Sequence, residues 1–133
     1  MDKRPEAVSL MQLAKAQVAK IDLLCQKASL KDDTAYHKEM QAASHSVVDC
    51  LLEGLNTGRP EQFQKNFLVI AKAFNNELQT LLLNSFNEKH LAQKKYDELS
   101  KANHVLDLQL VSFIRQLQGF DSTNTKISNE HKP

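Results

Sequence analysis

Apolar side chains return every three or four positions along most of this chain, and polar breaks cut that rhythm into four segments. In the first, residues 5 to about 29, the stripe is Ala7, Met11, Ala14, Val18, Ile21, Cys25 and Ala28, widened by Leu10 and Leu24. Lys15, Lys20 and Lys27 occupy the other faces. Pro5 suits a helix start, where its missing N–H would have had no partner. The polar stretch Lys31-Asp32-Asp33-Thr34 follows, and Asp33 or Thr34 can cap the next helix through a side-chain oxygen. The second segment, about 35 to 53, repeats the spacing in Tyr36, Met40, Ala43, Val47, Cys50 and Gly54, with Val48, Leu51 and Leu52 broadening its end. Gly54 is expected to end it in the left-handed conformation, and Gly58 offers a second flexible point.

Pro60 opens the third segment, and Glu61 in its first turn complements the helix dipole. It should run to about residue 85, with Phe67, Ile70, Phe74, Glu77 and Leu81 in step. Asn87 is the expected cap of the fourth segment, which continues to about residue 118 through Ala92, Tyr96, Leu99, Asn103, Leu106, Leu110, Phe113 and Leu117. Gly119 is expected to stop it. Residues 120–133 are rich in Ser, Thr, Asn and Lys, which predicts a disordered tail behind a bundle domain of residues 1–119. Short connections make consecutive helices antiparallel neighbours. The predicted fold class is therefore all-α, an antiparallel up-down-up-down four-helix bundle. Its fourth helix, at about 31 residues and roughly 46 Å, outreaches the others.

Composition agrees with long helices: only three Gly and three Pro, no Trp, and abundant Lys, Gln, Leu, Ala and Glu in 133 residues. The net charge of +1 argues against a dedicated nucleic-acid binder, which usually carries a larger basic excess. Cys25 and Cys50 both fall on apolar faces, where free thiols pack as small hydrophobes; a disulfide between neighbouring helices is the alternative. No signal-like leader and no apolar run of about 18 residues occurs, so a cytoplasmic location with no membrane partner is expected.

Catalytic and metal chemistry find little to stand on. A di-metal carboxylate bundle needs Glu-x-x-His on two helices, and neither His37, His45, His90 nor His104 has that context. The His and Cys spacing fits no zinc pattern, and there is no Gly-rich phosphate loop. The cysteines lack a local activating partner. The reading is no catalytic residues, no metal, no cofactor and no enzyme activity. Glu77 and Asn103 interrupt apolar seams. Each is expected to fix register or oligomer state through a polar partner, with ligand binding the alternative, unless Glu77 flanks the seam and reaches water. Arg59, Lys65 and Lys72 share approximately one face of the third segment, and Lys94 and Lys101 one face of the fourth. They form either solvated faces or phosphate-facing stripes; no recognition motif and no interleaved aromatics accompany them.

The third segment carries a resemblance. Phe67-Leu68-x-Ile70-Ala71-Lys72 followed by Asn76-Glu77-Leu78-x-Thr80, with Glu53-Gly54 ending the second segment and a Ser46-Val47 step within it, resembles the four-helix-bundle proteins encoded in intervening sequences of bacterial large-subunit ribosomal RNA genes. The accessory variability determinant (Avd) of diversity-generating retroelements is similar. Departures occur at Val48 and Cys50, at Ala73-Phe74, and in the spacing between Gly54 and Phe67. The resemblance implies an antiparallel bundle assembling into a homo-oligomeric ring, a pentamer. For the retroelement branch it implies nucleic-acid binding and a reverse transcriptase partner. The expected function is a non-catalytic oligomeric scaffold or accessory protein contacting RNA or DNA. The competing expectation is a protein-interaction module with no nucleic-acid role, holding its partner through Phe86 or Phe120.

Overall fold

A computed structural model of the chain describes residues 2–27, 34–56 and 58–130, with side chains described as far as Leu117. Four helices follow in order: α1 Pro5–Lys27, α2 Thr34–Gly54, α3 Glu61–Asn87 and α4 Gln93–Glu130. Each packs on its sequence neighbour, and α4 returns to α1, which closes an all-α four-helix bundle. The capping role assigned to Asp33 or Thr34 falls on side chains outside those described.

Hydrophobic residues at three- and four-residue steps supply the core, as a helix stripe must. One block joins Ala7, Leu10, Met11 and Ala14 of α1 to Val47, Leu51, Leu55, Leu68, Ala71, Leu106, Leu110 and Phe113. A second joins Ile21 to Met40, Ala43, Leu78, Leu82 and Leu99. Between them lie the buried polar residues Gln17, Ser44, Asn75 and Asn103, one on each helix. A polar layer thus crosses the bundle at the level where one apolar block gives way to the other.

Several expectations need correction. The buried residues of α3 are Leu68, Ala71, Asn75, Leu78, Leu81, Leu82 and Ser85; Leu81 lies on the predicted step and Phe74 packs against the core, but the centre of the face is one residue on. A one-residue displacement turns a helix by about 100°. Glu77 is therefore exposed and takes no place in the seam, and Ile70 stays 44% exposed. Asn87 is the last residue of α3, and does not cap α4. The chain leaves α3 through a Schellman turn: the Lys89 N–H donates to the Phe86 carbonyl, and the His90 N–H to the Ser85 carbonyl. Lys89 occupies the left-handed position with φ 65°, where glycine is usual. Gly119 does not end α4, whose backbone stays helical to Glu130. A glycine inside a helix costs only about 1 kcal/mol, which neighbouring turns can absorb.

Gly54 also acts differently from the expectation. Positive φ occurs at Gly58, at 87°, and not at Gly54. Gly54 is buried at the end of α2, where an added Cβ would lie 2.9 Å from the Phe67 Cβ. Its missing side chain lets α2 and α3 approach closely.

Candidate functional site

The amide layer is the most elaborately bonded feature of the interior. Gln17 Nε2 donates to Asn75 Oδ1 at 3.0 Å, and Asn103 Nδ2 donates to Gln17 Oε1 at 3.0 Å. Asn103 Nδ2 also lies 3.0 Å from Asn75 Oδ1 and 3.1 Å from the Asn75 carbonyl. Asn75 Nδ2 donates in return to the Asn103 carbonyl at 3.2 Å. Three helices are thereby joined. Ser44, on the fourth, gives its hydroxyl proton to the Gln41 carbonyl of its own helix. Asn103 is the polar seam residue expected from sequence; Gln17 and Asn75 were not anticipated. The network can orient helices, but it offers no ionisable group for proton transfer.

The basic residues are dispersed, and several are engaged. Lys72 Nζ sits 3.0 Å from Asp107 Oδ1 of α4, so it is an interhelical ion-pair member rather than part of a free stripe. Arg59 approaches Glu53 Oε2 at 3.7 Å and stacks 4.7 Å over the Phe63 ring. Lys65 is half-buried on the same side of α3 as Lys72. Lys94 and Lys101 are exposed, seven residues apart and hence on one face of α4, with no ion pair among the described residues. The sequence-predicted cations therefore divide into two engaged by carboxylates and three without such a partner.

At the N-terminal end a clasp ties the chain down. The Asp2 N–H donates to the Leu55 carbonyl, and the Arg4 guanidinium grips the Asp2 carboxylate. Gln64 bridges both, accepting from Arg4 Nη2 at 3.1 Å and donating to Asp2 Oδ2 at 3.2 Å. Arg4 also covers the buried Phe113 ring at 4.7 Å. The hydrogen bonds from Arg4 hold the Asp2 carboxyl below its ordinary value, against partial burial that opposes them. Arg59 and Lys3 line the adjacent surface groove of about 450 Å³.

Both cysteines are free and half-buried, and burial pushes their thiols up in pKa. The Cys25 thiol donates to the His37 carbonyl at 3.7 Å. Among the described residues no group of three His, Cys, Asp or Glu side chains comes together in a way that could hold a metal ion. Nor is any helix there long and apolar enough to cross a membrane. Phe86 stacks on Tyr96 with ring centres 4.6 Å apart and packs against the second core block, so it is not an open anchor. Phe120 lies outside the described side chains.

Fold and interior together define a small four-helix bundle with a hydrogen-bonded amide layer. A solved structure with this fold is a protein of unknown function from the S23 ribosomal protein family of Bacteroides thetaiotaomicron. It superposes with a TM-score of 0.73 at 16% identity, covering 83% of this chain and 98% of that one. No family model and no curated protein matches the sequence.

Proposed function

We propose that this protein is a non-catalytic bundle that assembles with copies of itself, as a ring scaffold or accessory protein, and contacts nucleic-acid phosphates. The observation behind this reading is the surface of α3 and α4. Those two helices leave Val69, Ile70, Leu83, Val105 and Leu108 between 38 and 54% exposed. Val69 lies one turn before Lys72, and Leu108 follows Asp107 in sequence. Aliphatic side chains left in water beside charged ones suit an interface between subunits. Lys94 and Lys101 then supply ammonium groups not committed to carboxylates, and assembly multiplies them. Lys65 is a third candidate, whereas Lys72 and Arg59 are reserved for their acidic partners.

The sequence resemblance to the intervening-sequence proteins and to Avd supports the same reading. So does the ribosomal-protein family name borne by the structural neighbour. A reverse transcriptase is the protein partner that the retroelement branch would add. Contacts to phosphate alone would be weakly sequence-specific and strongly salt-dependent. Filter retention of RNA and DNA, stepped from low to moderate salt, tests this with wild type and Lys94→Glu/Lys101→Glu. Retention should fall steeply with salt and drop further in the variant. Retention that is level with salt, equal in the variant or absent throughout would overturn the phosphate contact.

A further inference from the structure

Seven residues advance a helix by almost two turns, so positions one heptad apart occupy equivalent places. In α1 the inward rows are Ala7, Ala14, Ile21; Leu10, Gln17, Leu24; and Met11, Val18, Cys25. Every row is small or apolar throughout except at Gln17. The facing rows on α3 and α4 have the same form: Leu68, Asn75, Leu82 and Tyr96, Asn103, Leu110. In each helix one amide stands between apolar residues a heptad away on either side.

We infer that Gln17 is the key that sets the axial register of α1 against α3 and α4. The α3–α4 pair is aligned at one end by the Schellman turn at Lys89. No such turn links α1 to α4: Gln17 and Asn103 are 86 residues apart in sequence. The chain reaches α4 from α1 only by way of α2 and α3, so contacts between α1 and α4 contribute to their alignment. Sliding α1 by one heptad keeps small or apolar side chains in the Ala7 and Met11 rows, with alanine for alanine at 7 and 14 and a change of size at the other positions. It also takes Gln17 away from Asn75 and Asn103 and sets it among the leucines, while Leu10 or Leu24 faces the two asparagines. Gln17 then loses both of its amide partners, and Asn75 and Asn103 each lose one bond while keeping those to each other; a buried polar group without a partner is expensive. A single polar residue in an apolar seam is a known means of specifying helix register. The clasp at Asp2 and the Ser9–Gln109 hydrogen bond of 2.8 Å hold the same alignment from outside. They are exposed or half-exposed, where water offers the separated groups a substitute.

Cysteine cross-linking in the full chain, with Cys25 and Cys50 replaced by Ser, reads the register. Ser9→Cys pairs with Gln109→Cys in the observed alignment, and with Ala102→Cys or Gln116→Cys when α1 slides by one heptad either way. The parent should favour the 9–109 disulfide by at least roughly tenfold. In Gln17→Leu/Asn75→Leu/Asn103→Leu, which removes all three amides together, that preference should shrink to within about threefold while the chain stays helical. Retention of the tenfold preference in the folded triple variant would overturn the inference. Leu10→Gln/Gln17→Leu moves the key by one heptad and should make 9–102 the major product. If 9–109 still dominates there, or if both variants fail to fold, the amides are not a register key.

Discussion

Replacing Gly54 by Ala adds a single carbon at a close approach of α2 to α3. Built on the existing backbone, that carbon would stand 2.9 Å from the Phe67 Cβ and 3.4 Å from the Gln64 carbonyl oxygen. Carbon atoms prefer separations of about 3.5–4.0 Å, so the two must part by roughly 0.6–1 Å. A Cβ cannot be rotated out of the way, so the helices themselves must move. Overpacking of this kind costs about 1–3 kcal/mol. Against it stands the better helix propensity of Ala, about 0.5–1 kcal/mol, fully available because Gly54 does not have a positive φ. The net expectation is destabilisation by about 1–2 kcal/mol, or roughly 3–6 °C in a chain of this size. Thermal and urea melts followed by circular dichroism measure it. Phe67→Ala should give no relief, since it keeps the offending atom, whereas Phe67→Gly should show a favourable coupling with Gly54→Ala. An unchanged or raised midpoint for Gly54→Ala would refute the close-approach argument.

Lys89→Gly removes a side chain from a left-handed position and should stabilise the protein by about 0.5–1 kcal/mol in the same melts. Asp2→Asn should lower the melting temperature at neutral pH. Because the folded carboxyl lies below its ordinary value of 3.8, its stabilisation is complete above that value and is lost as pH falls through the lower folded one. The wild-type and Asp2→Asn midpoints should therefore differ at neutral pH and converge only as pH falls below about 4, as acid melts would record. Cys25 and Cys50, half-buried and with raised thiol values, should react with iodoacetamide near pH 7.5 more slowly folded than in denaturant, followed by mass spectrometry.

How far the sequence was legible differs between backbone and surface. Four helices and their order follow from a repeat that the chain displays openly, and the α4 seam from Leu99 to Leu117 is buried as the spacing requires. In α3 the bulk of Phe67, Ile70 and Phe74 suggested a stripe centred one residue early, of which Leu81 is buried and Phe74 packs on the core. Its true seam contains Ala71, Asn75 and Ser85, which hydrophobicity ranks low. Burial of an amide depends on partners from other helices, and Gln17 and Asn75 find theirs 58 residues apart. The signal available was the heptad row, in which Gln17, Asn75 and Asn103 each stand between apolar residues. The engagement of Lys72 had no such signal, because Asp107 reaches it only once α3 and α4 lie side by side. A stripe of cations read from one helix cannot show which members a neighbouring helix will neutralise.

A scaffold built from copies of one chain must assemble, and mass in solution tests that most directly. Light scattering on the purified protein at micromolar concentration should give one species several times the 15.1 kDa of the chain. Val69→Glu/Leu108→Glu should return it to the single-chain mass with helicity intact. A clean 15.1 kDa species for the wild type at that concentration would contradict the account.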